Sequence, residues 1–345
     1  MIMTNEQVPE KNRVLDMHCH VAGIGAGGSG AFLSEKIRNS WKFRIYLRAF
    51  GVTRKEIEQH GDALVVQRIS EQLKNSKQVG AALLLALDGV IDQEGKLNTK
   101  HTEVFIPNAF LAAEVAKYDN LYFGASINPY RHDAIERLEG AKKQGALLIK
   151  WLPAIQQIEP SEKKLIPFYE KLAELDLPLL SHAGDEHAFT SANNSLGDPQ
   201  KLKLPLQVGV TVIVAHAATT GKSLGEDNMQ RLLPMFAQYP RLYTDISSLT
   251  QANKLRFLPR LLAAKLDSSR ILFGTDFPLI TTGISSPLFS LFRLPVKTIL
   301  RLLKIENPWD QDLQLKRSFG VPAAVFANAN NLLVEKNKVQ SEIAE

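Results

Sequence analysis

Eight short apolar segments alternate with eight stretches of helical spacing along this chain of 345 residues, and this alternation constrains the fold more than any other feature. Most of the apolar segments are nearly continuous, as parallel strands are when helices cover both faces of their sheet. The pattern predicts an α/β fold, a single (β/α)8 TIM barrel over residues 1–345 as one domain, with a doubly wound sheet as the second interpretation. The predicted strands are 14–20, 79–87, 121–127, 146–151, 178–182, 211–215, 241–245 and 271–275.

Three predicted connections are longer than a compact barrel needs. They follow strands 1, 2 and 8, and they span residues 21–55, 88–103 and 276–295. All three leave the carboxyl ends of strands, which form the face where barrel enzymes keep their active sites. Long connections at this face usually form lids or pocket walls, so we expect them to shape a pocket for a small-molecule substrate.

Composition excludes several classes of protein. With 45% hydrophobic and 22% charged residues, the chain is neither disordered nor fibrous. Its apolar runs are far shorter than the roughly 20 residues of a transmembrane helix, and its first residues do not resemble a secretion signal. The single cysteine, Cys19, excludes an internal disulfide framework and a cysteine-rich metal site. We therefore expect a cytoplasmic protein.

The net charge of +5 comes from two segments. Residues 36–54 contain six basic residues and 288–304 contain four, and neither segment contains an acid. The rest of the chain holds 31 basic and 36 acidic residues, and it includes no recognised nucleic-acid-binding module. A nucleic-acid partner is therefore not expected.

Apolar residues in both basic segments allow two interpretations. Residues 288–304 have helical spacing, with a start near Pro295, and the favoured interpretation is barrel helix eight with a solvated basic face. In the other interpretation this segment joins the aromatic residues of 36–54 in a basic, apolar rim at the barrel mouth. Such a rim would admit anionic or lipophilic substrates, or make weak contact with an anionic membrane surface through 36–54 and 288–304.

Candidate metal ligands occur where predicted strands end. His18 and His20 share one face of strand 1 because side chains alternate, and Cys19 faces the other way. His182, His216 and Asp276 each follow an apolar run, in strands 5, 6 and 8. Each of these motifs is weak alone, but barrel closure brings strands 1 and 8 together. Four imidazoles and a carboxylate on one rim suit a divalent metal, most simply Zn²⁺, with a position left for water.

Two further polar residues lie within strands. Lys150 ends strand 4 after an apolar run, and burying its charge without a partner would be costly. Its head group could reach solvent or a carboxylate, clamp a substrate carboxylate, or bridge two metals as a carbamate. Asp16 has the parity of His18 and His20, so it could orient a ligand histidine or act as a buried structural hydrogen-bonder.

Taken together, these residues resemble the amidohydrolase superfamily in order and position: His18, His20, Lys150, His182, His216 and Asp276. The phrases SHAGDEHAF, VTVIVAHAATTG and LFGTDFPL are similar to its mononuclear-leaning branch, which also holds small-carboxylate decarboxylases and sugar-acid lactonases. The resemblance covers about residues 14–333.

That resemblance implies roles for the six residues. His18, His20 and His182 would be metal ligands, and Asp276 would be a ligand or the general base. His216 would bind a second metal or polarise the substrate. Lys150 matches the bridging position of members with two metals, so one or two ions are expected.

Three functions remain open from the sequence. The leading one is a metal-dependent hydrolase that activates water to cleave an amide, ester or lactone. The second is a metal-dependent decarboxylase of a small unsaturated carboxylate. The third, of a different class, is a non-catalytic barrel that acts at a membrane surface or as a binding module, which the intact ligand set disfavours.

Several other motifs are expected to be structural. The glycines of 23–28 match the spacing of a dinucleotide fingerprint, but the acidic residue it requires further on is missing, so a flexible hinge is the better interpretation. Loop residues 185–187 are expected to be solvated. Asp88 and Asn128 should shape turns, and Trp151 should pack against helices.

Overall fold

Eight parallel strands form one sheet in a computed structural model that describes residues 10–186, 189 and 191–335. The strands pair in chain order, each with the next one along the chain. The predicted barrel is confirmed, and every strand lies within its predicted segment: β1 (Leu15–His20), β2 (Ala81–Leu85), β3 (Leu121–Ala125), β4 (Ala146–Trp151), β5 (Leu179–Ser181), β6 (Val212–Val214), β7 (Leu242–Asp245) and β8 (Ile271–Leu272).

Backbone hydrogen bonds between β1 and the residues after β8 nearly close the barrel. The Met17 amide donates to the Phe273 carbonyl at 3.2 Å, and the Asp276 amide donates to the His18 carbonyl at 2.9 Å. The His20 amide donates to the Phe277 carbonyl at 2.8 Å. These bonds bring residues that are more than 250 positions apart in sequence to the same rim.

The described chain contains helices of 4 to 12 residues, most of them arranged around the sheet. They are α1 (Glu35–Arg38), α2 (Trp41–Ala49), α3 (Arg54–His60), α4 (Ala63–Lys74), α5 (Asn108–Val115), α6 (Ala134–Lys143), α7 (Pro153–Gln156), α8 (Ile166–Glu174), α9 (Lys203–Val208), α10 (Asn228–Leu232), α11 (Met235–Gln238), α12 (Phe257–Ala263), α13 (Val296–Leu302), α14 (Pro308–Ser318) and α15 (Val325–Asn330), followed by a π-helix at Asn331–Glu335. In the part of the chain described, no helix is long and apolar enough to cross a bilayer.

The amino-terminal half of the barrel interior is a dry apolar core. Side chains from six of the strands meet there, and they are almost completely buried: Leu15, Met17, Leu83, Leu85, Leu148, Leu180, Ile213 and Leu272. The chain after α15 contributes Leu333 and Val334, which pack against this core at the amino-terminal end of the barrel. This end of the barrel is therefore closed, and the opposite end is where a ligand can enter.

An irregularity in β1 overturns the expected side-chain parity of Asp16. Asp16 pairs with Ala82 and Cys19 with Leu84, so β1 holds one more residue than β2 over this stretch, as in a β-bulge. The shift puts Asp16 on the outer side with Cys19, whose thiol donates to it at 2.9 Å. The Asp16 carboxylate also accepts from the Trp309 indole at 2.8 Å and from the Thr275 amide at 2.9 Å. Asp16 is thus the buried structural hydrogen-bonder, joining β1 to α14 and to the end of β8.

The loop after β1 is held by a buried carboxylate. Asp62 accepts hydrogen bonds from the amides of Ile24 and Gly25, both at 2.9 Å, and from the Ser29 hydroxyl. Gly25 has a φ of 90°, a conformation that glycine adopts without strain. The glycine-rich segment therefore forms an anchored loop, in place of the expected flexible hinge.

Helix α13 does not cover the barrel. It starts at Val296, with Pro295 before it as predicted, and Ile299 and Leu302 are buried against neighbouring segments. Val296 and Leu300, on its other side, are exposed. The favoured interpretation of this segment as barrel helix eight is therefore wrong, because α15 packs on β1 and β8, α14 reaches β1 through Trp309, and α13 packs on α14.

Candidate metal centre

The carboxyl ends of the strands carry the polar side chains that the sequence singled out. His18 and His20 end β1, and Lys150 lies one residue before the end of β4. His182, His216 and Asp276 follow β5, β6 and β8 by one, two and four residues. All six converge on the open end of the barrel, and all except His20 are buried.

Three ligand atoms lie close enough to hold one ion. His20 Nε2 is 3.1 Å from Asp276 Oδ1, and His18 Nε2 is 3.8 Å from the same oxygen. Atoms from His18, His20 and Asp276 all lie within 4.8 Å of one another. Two imidazole nitrogens and a carboxylate oxygen in this arrangement can coordinate a divalent metal.

His182 and His216 complete the cluster. Their rings are in edge contact at 5.4 Å between centroids, and the His216 ring stacks on that of His18 at 4.9 Å. The Nε2 atom of His182 is buried, and no group in the described part of the chain forms a hydrogen bond with it. An unpaired buried polar atom costs free energy, so this nitrogen fits a ligand position for a cation.

Backbone strain accompanies these side chains. His216 and Asp276 have φ angles of 54° and 66°, in the left-handed region that non-glycine residues rarely occupy. Ser248, which approaches His216 Nδ1 at 3.2 Å, has a φ of 53°. Each such residue costs about 1–3 kcal/mol, and such strain clusters at functional sites because surrounding structure must enforce it.

Asp245 is a site residue that the sequence analysis missed. It ends β7, and its Oδ2 lies 2.9 Å from His18 Nδ1. Its Oδ1 accepts from the backbone amide of His216 at 2.9 Å and from the Ser247 hydroxyl. A carboxylate on one imidazole nitrogen fixes the tautomer and leaves the other nitrogen for a metal. Asp245 is the last residue of its strand, and His182 directly follows its own. A polar residue at the carboxyl end of a predicted strand is therefore the signal that could have identified Asp245.

Lys150 is completely buried, so its head group does not reach solvent. Its Nζ lies 3.0 Å from His18 Nε2, on the side of the ring that faces Asp276. Burial lowers the pKa of Lys150 to about 8, although Asp245 and Asp276 act against that shift. At pH 7 about a tenth of this lysine is therefore uncharged, far more than for an ordinary lysine, and the uncharged amine is the form that can ligate a metal or react to a carbamate.

The protonation states of the cluster suit metal binding. Burial lowers the pKa of His18 and of His182 to about 4, and that of His216 well below its usual range. For Asp276, burial acts to raise the pKa, but the imidazoles of His216, His20 and His18 outweigh it and hold the pKa well below the usual range. Neutral imidazoles and an ionised carboxylate are the forms in which these side chains ligate metals.

Comparison with known families identifies the family of this chain. The family model described as amidohydrolase matches residues 15–314. The chain belongs to the amidohydrolase family. The comparison with curated proteins gives no match.

Solved structures share the fold of this amidohydrolase at low sequence identity. A 2-pyrone-4,6-dicarboxylic acid hydrolase homologue from Pseudomonas putida has a TM-score of 0.55 at 13% identity, covering 93% of this chain and 97% of its own. An uncharacterised TIM-barrel protein from Bordetella bronchiseptica has a TM-score of 0.52 at 14% identity, covering 88% and 99%. The 5-carboxyvanillate decarboxylase from Sphingomonas paucimobilis has a TM-score of 0.50 at 11% identity, covering 93% and 99%. These structures establish the fold and leave the reaction open.

Loops of the amidohydrolase add charged groups at the mouth. Glu186 Oε2 lies 3.8 Å from His182 Nε2 and is largely buried, so the expectation that it would be solvated is wrong, while His187 lies outside the described residues. Lys254, which received no role from the sequence, donates to the Ser248 hydroxyl at 2.7 Å and helps to lower the pKa of His216. Both belong to irregular loops, where hydrophobic periodicity gives no information on side-chain direction.

Three of the residues expected to be structural, Trp151, Asp88 and Asn128, are so in the amidohydrolase. The Trp151 indole donates to the Ile127 carbonyl at 2.7 Å, and its ring stacks on Phe168 in the helix layer. Asp88 pairs with Arg131 at 2.6 Å and accepts from the Asn128 amide at 2.8 Å. These contacts hold the turns after β2 and β3 in place.

Proposed function

We propose that the protein is a metal-dependent hydrolase that cleaves an amide, ester or lactone bond. The observation that supports it most is the convergence of His18, His20 and Asp276 beside the Nε2 of His182, which forms no hydrogen bond within the described chain. These four residues, with His216 and Lys150, would hold one or two divalent ions, and Zn²⁺ suits their nitrogen and oxygen donors. Such an ion lowers the pKa of a coordinated water towards about 7 and polarises a carbonyl oxygen.

Side chains of the protein would carry out the proton transfers of the reaction. Asp276 would accept a proton from the attacking water at a carboxylate oxygen and return it to the leaving nitrogen or oxygen. Where the other ligands hold a single ion, His216 would be free to donate a hydrogen bond from Nε2 to the substrate carbonyl oxygen, where negative charge develops. Asp245 and Ser247 would hold the rings of His18 and His216 in place from behind. Cys19 is buried and forms no disulfide, which is consistent with the proposed location in a reducing compartment such as the cytoplasm.

Identifying the substrate requires a screen that separates hydrolysis from decarboxylation. Purified protein would be tested with esters, lactones, N-acyl compounds and unsaturated carboxylic acids, before and after chelation and with defined metals restored. Hydrolysis predicts that oxygen from ¹⁸O-labelled water enters the product and that no CO₂ forms. Release of CO₂ without incorporation of water would replace the hydrolase proposal with a decarboxylase, and no turnover of any compound by the metal-loaded protein would argue against both.

A further inference from the structure

The exposed apolar side chains of this protein are concentrated at one place on its surface. Of the 11 large hydrophobic residues that are exposed in the described chain, 8 lie between Ile284 and Leu303, and 2 more, Trp41 and Ile45, lie on α2. Phe292 is fully exposed, and Trp41 is 67% exposed. Scattered exposed hydrophobics are ordinary, but a contiguous group of this kind marks an interaction site. We call residues 284–304 and the outer face of α2 the apolar–basic surface.

Helix α13 presents this surface in regular order. Val296, Leu300 and Leu303 are spaced for one exposed stripe, while Ile299 and Leu302 anchor the helix to the body of the protein. Lys297, Arg301 and Lys304 are exposed in a second stripe, displaced by one residue from the first. Apolar and cationic stripes side by side are the pattern of a helix that lies in the plane of a membrane interface.

The two parts of the surface are joined in the fold. The Thr281 hydroxyl donates to the Ala49 carbonyl at 2.9 Å, and the rings of Phe50 and Phe277 meet edge to face. A groove of about 490 Å³ between them is lined by Arg48 on one side and Leu303 on the other. The loops that carry both parts leave the carboxyl ends of β1 and β8, at the mouth of the barrel.

We propose that the apolar–basic surface docks the protein on an anionic lipid bilayer, with the side of the barrel mouth next to the membrane. The charge argues for lipid as the occupant, since six exposed basic side chains lie on this surface and the segments 36–54 and 288–304 contain no acid: Arg44, Arg48, Arg293, Lys297, Arg301 and Lys304. Two copies of this chain placed face to face would bring these like charges together, which disfavours a symmetric dimer at this surface. Anionic head groups neutralise the cations while Phe292 and its neighbours enter the interface.

Vesicle flotation of the full chain tests the proposal without any substrate. We expect the protein to float with phosphatidylserine–phosphatidylcholine vesicles at low salt, less at physiological salt, and hardly with phosphatidylcholine alone. The double variant Phe292→Ser/Leu300→Ser should bind about tenfold or more weakly, because it removes apolar contact. Lys297→Glu/Arg301→Glu should bind anionic vesicles about tenfold or more weakly, and Lys143→Glu, an exposed reversal at the closed end of the barrel, should bind normally.

Tryptophan fluorescence gives a second measurement of the same surface. Of the three tryptophans, Trp151 and Trp309 are completely buried, so a change on adding vesicles reports Trp41. We expect a blue shift and quenching by brominated lipid, both absent in Trp41→Phe. No flotation at either salt concentration, or flotation unchanged in both double variants, would overturn the proposal. A wild-type dimer that Phe292→Ser dissociates would also overturn it, since a second copy would then cover the surface. None of these outcomes bears on hydrolysis, so the two proposals fail separately.

Discussion

The two ends of the barrel interior are built by the same strands but contain opposite chemistry. The closed end is filled with leucine, isoleucine, methionine and valine side chains, which have no polar groups that require hydrogen-bond partners. The open end buries histidines, aspartates and a lysine, although burying such groups is costly unless they are paired. Paired groups such as His18 and Asp245 offset part of that cost, but the unpaired Nε2 of His182 and the left-handed backbone of His216 and Asp276 do not.

Within one barrel interior, the apolar end therefore serves stability and the polar end serves the proposed function. The apolar end stabilises the fold by removing hydrocarbon from water. The polar end holds a buried nitrogen without a hydrogen bond and two strained residues, costs that folding alone does not require and that binding of a cation would offset. Mutations at the two ends should therefore have different consequences, one for the free energy of unfolding and the other for metal content and turnover.

The largest effect is expected for Asp276→Asn at the open end. The amide is nearly the same shape as the carboxylate but cannot accept a proton from water at neutral pH. We expect kcat to fall by roughly 10²–10⁴-fold, with an unfolding midpoint close to that of the wild type. Steady-state kinetics on a substrate from the screen and a denaturant titration measure the two quantities. An undiminished kcat in this variant would show that Asp276 is not the proton acceptor.

At the closed end, Leu83→Ala should affect stability and leave the ligands intact. Leu83 is completely buried in the apolar core, and its loss leaves a cavity in the barrel. We expect the free energy of unfolding to fall by about 2–5 kcal/mol, measured by urea unfolding. The folded variant should keep the metal content of the wild type. Loss of metal from the folded variant would mean that the two ends are not independent.

Asp245→Asn is expected to weaken the site less than removing a ligand. The amide can still contact His18 Nδ1 but no longer fixes the tautomer as a carboxylate does. Such changes behind a ligand typically lower metal affinity by about 10–100-fold. Competition with a chelator of known affinity measures the change. Unaltered affinity would show that Asp245 acts on the fold alone, through the His216 backbone.

Periodicity in the sequence located the strands to within three residues at each end, and the observed strands are mostly shorter than the predicted segments. Apolar runs located all eight strands, and the polar residue that ended each run located His182, His216 and Asp276. Asp245 also ends a predicted strand, so the same rule could have identified it as a site residue. It was missed because no histidine lies beside it in the sequence. Strand alternation gave the correct faces for His18 and His20.

Features that depend on tertiary structure could not be predicted in this way. The extra residue in β1 moves Asp16 to the outer face, and no local pattern distinguishes it from a regular strand. Glu186 and Lys254 reach the mouth from irregular loops. The exposure of α13 depends on the packing of α14 and α15, since an amphipathic pattern alone does not say which side meets the protein.

The metal content of the purified protein tests most directly whether the polar residues at the open end of the barrel together bind divalent cations. Protein purified without chelator would be measured by elemental analysis for the wild type, His18→Ala and His182→Ala, each checked for folding by circular dichroism. We predict one or two equivalents of a divalent metal in the wild type, with two equivalents supporting a carbamate on Lys150, and almost none in either folded variant. Full retention of metal in both variants, or a metal-free wild type that binds none when it is supplied, would contradict the account.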